Sequence, residues 1–383
     1  MLDPFPPPPA WLRSLSEPFA QYFNLPAISD HIHEVVAAFA AYQFIHWYVS
    51  PRLSSWLAPR FYPNFNRRTK INWDVHVVSL IQSVLVNAVA LWVMFSDQER
   101  KSMNSAERVY GYTGATALIL ALATGYFMYD LIVSAFYVKI FGMGMVFHGI
   151  SALWVFSLGF RPFLNFYSPT FILYELSSPF LNIHWFLDKV NMTGSRAQWY
   201  NGMVLLIVFF SCRLVWGTWQ SVWVYVDMWR SLSNTRSSIA VNPLDVYQVR
   251  DGALCADEAC VRANAEVSKY SDYTANGVPT WLVLTYVVSN LILNFLNYFW
   301  FSKMIETVMK RFREPAAPAE KKKEKKNAEE EELLALKEKI PQDAVLDAAS
   351  KLQHEEGSLF LGDAVDGQVR SGVDAQAEAR RRK

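Results

Sequence analysis

The chain has 383 residues, of which 52% are hydrophobic and only 19% charged; soluble domains carry about a quarter charged residues, so the shortfall points to a membrane or an unusually large core. Sixteen glycines, three cysteines and abundant Trp, Tyr and Phe exclude collagen-like, disulfide-rich and wholly disordered chains. A net charge of +1 creates no global field for nucleic acid, and none is expected as a partner.

Residues 1–30 contain prolines at 6–9 and lack the continuous apolar stretch of a cleavable signal, which predicts a Pro-rich N-terminal arm. A spanning helix needs about 20 mainly apolar residues to cross roughly 30 Å of hydrocarbon. Seven segments qualify: 31–50, 73–95, 112–138, 141–160, 163–187, 200–229 and 280–301. The expected fold is therefore all-α, an integral membrane bundle of about seven helices. The fifth segment is the weakest. It holds Pro169, Glu175, Pro179, Asn182 and His184, and a broken or partly re-entrant path is expected there. Aromatics gather at segment ends (Trp47, Tyr48, Trp73, Trp185, Trp199, Trp229, Trp300), as interfacial belts do.

Loop charges orient the bundle. Arg52, Arg60, Arg67, Arg68 and Lys70 follow the first span with no acidic residue among them, and Lys303, Lys310, Arg311 and Arg313 follow the last. The positive-inside bias makes both regions cytosolic and the N-terminus lumenal. Residues 31–69 are then the first span and its basic cytosolic loop, and 231–278 is a lumenal loop. That loop carries Cys255 and Cys260, either a disulfide or two thiols. The sequon at Asn191 falls on the cytosolic side, so no glycan is expected there. Residues 314–383 change abruptly to a charged cytosolic tail, partly helical and largely disordered. Its basic cluster at 310–326 either attracts anionic lipid headgroups or simply solubilises the tail.

Ionisable groups at membrane depth are costly and face the bundle interior. Asp130 follows Tyr126 by one turn in the third span, His148 lies in the fourth, Glu175 in the fifth and Arg213 midway along the sixth. These five are the expected lining of one central cavity. The competing reading is a buried ion pair of Arg213 with Asp130 or Glu175 that merely locks helices. Gly125, Gly142, Gly144 and Gly149 would allow close backbone approach nearby. His31, His33, His46, His76 and His184 sit nearer span ends and are expected at the interface. No metal site is expected, because His31-x-His33 lacks further ligands at zinc spacing. No cofactor fingerprint is present.

The stretch FHGISALWVFSLGFRPFLNFYSPTFILYELSSPFLN, preceded by GYFMYDL, resembles the TLC-domain family of polytopic membrane proteins, above all its small TLC-domain members. The resemblance covers roughly residues 70–310, and the domain is placed at 70–313 with six of the spans. It implies a helical bundle around a cavity in the endoplasmic reticulum, with a lumenal start and a cytosolic end. Membrane lipids are the implied partners, and the implied role is lipid homeostasis, particularly of sphingolipids or phospholipids. Among the ceramide synthases of this family, a His-His pair precedes a motif with His-Asp and a further Asp. Here Phe147 stands in the first place of the pair and His148 in the second. Tyr174-Glu175 replaces His-Asp, and Ser178 stands where the further Asp would be. Three functions follow as expectations. The first is binding, sensing or moving a lipid. The second is N-acyl transfer from acyl-CoA, as substrate, using His148, Glu175 and Asp130. The third is a secretory cargo adaptor working through the tail. Self-association as a homo-oligomer is left open.

Overall fold

The computed structural model describes residues 1–233, 243–250, 255, 257–275 and 278–313, and every regular element among them is helical. The tail at 314–383, with most of the basic cluster at 310–326, lies outside the described residues. Helix α1 (Ala10–Phe23) leads into α2 (Ile28–Phe44), which continues through a π-helical turn (Ile45–Val49) into α3 (Ser50–Leu57). Next come α4 (Arg67–Ser96), the short α5 (Gln98–Ser102) and α6 (Ser105–Tyr110), then α7 (Gly114–Phe136) and α8 (Val138–Leu158). Helices α9 (Ser168–Ile172) and α10 (Ser178–Lys189) are followed by α11 (Arg196–Phe209), which a second π-helical stretch (Phe210–Trp216) joins to α12 (Gly217–Ser233). The short α13 (Pro243–Val246), α14 (Glu258–Glu266) and α15 (Ser271–Ala275) precede the long α16 (Thr280–Arg313).

Local chemistry explains several starts. Asn66 accepts the Thr69 amide at 2.8 Å to open α4, Ser195 accepts that of Gln198 to open α11, and Asn104 with Glu107 closes a capping box on α6. Gly142, at φ 82°, interrupts α8 near its beginning; glycine enters that region without a Cβ penalty.

Five helical stretches are long and apolar enough to cross a membrane: Arg67–Ser96, Ser105–Phe136, Val138–Leu158, Arg196–Ser231 and Thr280–Met309. The other two predicted spans are helical but atypical. The first, α2 through α3, is an unbroken helical run that carries Asp30, His31, Glu34 and His46. The fifth is broken. Pro169 and Pro179 each sit at the start of a helix, where a missing N–H costs least, and a 3-10 turn (Leu173–Ser177) separates α9 from α10.

Contacts between loops and helix ends sort the connections among the described residues into two opposite ends. At one end the Ala27 amide reaches the Phe160 carbonyl, Tyr112 reaches Val267, and Gln248 reaches the Ser102 carbonyl. This end therefore gathers the N-terminal arm with the connections near 97–113, 159–165 and 243–275. At the other end Arg68 approaches the Ile140 carbonyl at 3.5 Å, and Trp73 packs on Trp185 and Phe186. The helical run from α2 through α3 makes the first passage between these ends, and the five long apolar stretches follow it along the chain. Within the bundle α7 is central, packed between α2 and α8. At Gly125 an added methyl would lie 2.7 Å from both the Ala38 side chain and the Val35 carbonyl, so only glycine lets α7 approach α2 this closely.

The arm is clamped through Asp30. Its carboxylate meets Lys269 at 3.1 Å, Arg13 at 3.3 Å and the Tyr270 hydroxyl at 2.8 Å. Burial pushes Asp30 up, but Lys269, Tyr270 and Arg13 outweigh it and hold the group below the usual carboxylate range. A depressed folded-state pKa contributes stability that is complete above the unfolded value and disappears as pH falls through the folded one. Asp30→Asn should therefore lower the thermal midpoint in detergent at pH 7, and the difference should close as pH falls below about 4. A deficit that persists unchanged at pH 3 would show that the clamp is not ionic.

Candidate functional site

A cavity of about 930 Å³ runs through the bundle interior, and Tyr126, Asp130, His148, Glu175 and Arg213 all lie on its wall. Tyr126 and Asp130 come from α7, one turn apart, and His148 comes from α8. Most of the remaining wall is apolar, supplied by residues such as Phe127, Val155, Phe171, Leu205 and Leu296. Ser79, Asn182 and Asn290 add neutral polar points. Polar side chains at membrane depth have nowhere cheaper to go than such an interior.

The exposed members of the lining belong to two helices only. Ile150, Ser151 and Trp154 lie on α8, and Leu284, Val288 and Ile292 lie on α16. The cavity therefore opens sideways between α8 and α16, along apolar side chains at the depth of the spans.

The 3-10 turn and the π-helical stretch together build the charged corner. A 3-10 turn leaves carbonyls without their α-helical donors, and at membrane depth another protein group must satisfy them. Arg213, carried by the π-helical stretch, does so: Nε donates to the Tyr174 carbonyl at 3.0 Å and to Ser177 Oγ at 3.1 Å. Its Nη1 reaches Asn297 Oδ1 at 3.4 Å. Glu175 accepts the Ser178 hydroxyl at 2.6 Å, and its other oxygen lies 3.9 Å from Arg213 Nη2. The ion pair is thus loose, and Arg213 is anchored chiefly to the broken helix. Through its hydroxyl, Ser178 orients the Glu175 carboxylate.

His148 is half-buried on the opposite wall, edge-on to Phe127 at 6.4 Å between ring centroids, and makes no side-chain hydrogen bond among the described residues. Phe147 is 37% exposed and lies off the wall. Of positions 147 and 148, the one that carries histidine is therefore the one that faces the cavity.

Four of the five histidines near span ends are buried inside the protein, and His33 is partly buried. His31, His46, His76 and His184 lie among protein groups at 1–4% exposure. His46 Nδ1 meets the Tyr129 hydroxyl at 2.7 Å, and His76 Nδ1 meets Asn182 Oδ1 at 2.7 Å while stacking on Trp185. Their partners come from distant segments, which span-end position alone does not reveal. Two further groups, Asn297 and Asp227, were not signalled as candidates. Asn297, at 0% exposure, supports Arg213; Asp227, also 0%, joins α12 to Arg108 and Tyr167. Of the two states left open for Cys255 and Cys260, the structure has the disulfide.

A family model described as the TLC domain matches residues 72–306. An uncharacterised TLC domain-containing protein of Schizosaccharomyces pombe is 34% identical over 304 residues, covering 79% of this chain and 87% of that protein. Topoisomerase I damage affected protein 4 of Saccharomyces cerevisiae is 28% identical, covering 79% of this chain and 94% of its own. Human TLC domain-containing protein 4 is 29% identical over 46% of this chain and 66% of its own. No solved structure matches. Combined with the all-helical bundle and its apolar spans, the matched domain makes the chain a multi-pass membrane protein that belongs to the TLC-domain family.

Proposed function

We propose that the protein binds a membrane lipid in its cavity and acts by sensing or moving it, as part of lipid homeostasis in the endoplasmic reticulum. The observation that carries this reading is the sideways opening between α8 and α16, through which a lipid can enter without leaving the bilayer. The apolar wall suits acyl chains, and the cluster of Asp130, Glu175 and Arg213 with His148 suits a polar headgroup. The proposed orientation has a lumenal N-terminus and a cytosolic C-terminus. Two features support it. Arg60, Arg67, Arg68 and Lys70 gather at one end of the bundle, and the disulfide lies at the other, where an oxidising lumen would preserve it.

Lipid analysis of the purified protein in detergent tests the reading. Wild type should retain one lipid class above its abundance in the source membrane. Glu175→Gln and His148→Ala should reduce that enrichment at least several-fold while the protein elutes normally. Retention in proportion to the bulk membrane, unchanged by either variant, would sink the proposal.

A second reading, amide synthesis from acyl-CoA, is favoured by His148 facing the cavity while Phe147 does not. In that reaction the amine nitrogen attacks the thioester carbonyl, the C–N bond forms, the C–S bond breaks and coenzyme A leaves as thiolate. His148 would take the proton lost from nitrogen. Nanodisc-embedded protein given a sphingoid base and acyl-CoAs of several lengths should then form amide, and His148→Ala should not. Absence of product from folded wild type would leave the lipid-binding reading.

A further inference from the structure

Away from the cavity, where the arm folds over the start of the first passage, three ligand-type side chains converge. His31 lies in the first turn of α2, Glu34 follows one turn later, and Asp3 is delivered by the arm. His31 Nδ1 is 2.8 Å from Glu34 Oε2 and 3.0 Å from Asp3 Oδ2, and the ligand atoms of all three lie within 4.8 Å of one another. The other ring nitrogen, Nε2, meets the Tyr112 hydroxyl. His31 is 1% exposed and Glu34 5%.

Proton counting makes this arrangement hard to explain as hydrogen bonding alone. One imidazole nitrogen carries at most one proton, yet two carboxylates approach Nδ1 at bonding distance. Glu34 Oε1 is buried and accepts no hydrogen bond, with His33 Nε2 the nearest cationic candidate at 3.9 Å. Among the described residues, no Lys or Arg pairs with Asp3 or Glu34; Arg13 and Lys269 are both engaged by Asp30. A buried Glu34 and a partly buried Asp3 that share one imidazole, with no Lys or Arg beside them among the described residues, leave negative charge incompletely compensated, which is costly.

We propose that Asp3, His31 and Glu34 bind a divalent transition-metal cation of the Zn2+ or Mn2+ type, fixing the N-terminal arm to the first passage. One imidazole nitrogen and two carboxylate oxygens form a donor set that such ions accept, and separations near 3 Å between donor atoms suit three ligands on one ion. The Tyr112 hydroxyl on Nε2 would then do what outer-shell partners of metal-bound histidines do: set the tautomer and hold the ring. The sequence alone conceals the site, because Asp3 is remote from His31-x-x-Glu34 and the fold brings it in.

The test uses full-length protein in detergent, stripped with a chelator, dialysed, and titrated separately with ZnCl2 and MnCl2. Bound metal is read by plasma mass spectrometry and stability by thermal unfolding. Wild type should take up one equivalent of at least one ion and unfold at a higher temperature with it. Asp3→Asn, which changes only the arm and leaves the buried helix pair intact, should weaken binding at least tenfold and remove the thermal gain. Glu34→Gln should do the same wherever it folds. Folded wild type that binds neither ion, or Asp3→Asn that binds as wild type does, would overturn the proposal.

Discussion

Asp227→Ala is expected to be the most damaging single substitution outside the cavity. The carboxylate is wholly buried, accepts Arg108 Nε at 2.5 Å and Nη2 at 2.8 Å, and takes the Tyr167 hydroxyl at 2.5 Å. It thereby ties α12 to α6 and to the turn that precedes α9. Removing one partner of a buried pair leaves the other charge stranded, which costs about 3–5 kcal/mol. Against a total stability of about 5–15 kcal/mol, that is a large share. Asp227→Asn keeps an acceptor for Tyr167 and should lose less. Thermal unfolding in detergent, with expression level as a second readout, checks the order. Equal tolerance of both variants would mean that Arg108 finds another partner.

Breaking Glu107 from Arg250 should have the second-largest effect, with a different signature. Glu107 is also wholly buried. It receives both Arg250 terminal nitrogens, at 2.6 and 2.9 Å, and the Gln248 side-chain amide at 2.6 Å. The same carboxylate closes the capping box on α6. Glu107→Ala therefore removes a cap worth about 1 kcal/mol and a buried pair worth about 3–5 kcal/mol. Arg250→Ala removes only the pair. Because these bonds help dock residues 243–250, alongside the packing of Val246 and Tyr247, both variants should speed protease cleavage there before the bundle unfolds. The double variant should cost clearly less than the sum of the singles. Strict additivity would show that the two side chains act independently.

The all-helical membrane fold was legible because seven apolar stretches of spanning length leave few alternatives. Asp130, His148, Glu175 and Arg213 were legible on the cavity wall for a related reason: an ionisable group inside an apolar run has only the interior to face. Asp227 obeys the same rule, but its place near the end of the predicted span 200–229 disguises it as a boundary residue. The pairing of Arg213 with Glu175 was a legible alternative, but the anchor of Arg213 on the broken helix was not legible. That anchor is a backbone carbonyl freed by a 3-10 turn, and no residue type announces a carbonyl. Nor was the sideways opening, since the unpartnered faces of α8 and α16 are set by what packs elsewhere. The fifth span's break was signalled by Pro169 and Pro179, whose missing amide hydrogens suit helix starts.

The Asp30 clamp has a consequence for the order in which the molecule is assembled. Its Tyr270 partner lies 240 residues further along the chain. At roughly 5–20 residues per second, the ribosome delivers that partner on the order of tens of seconds after Asp30 itself. Throughout that interval Asp30 has only Arg13, made before it, as a partner. The arm is made first and its clamp is completed last, so newly made chains should pass through a state with a loosely seated N-terminus until the segment carrying Lys269 and Tyr270 arrives.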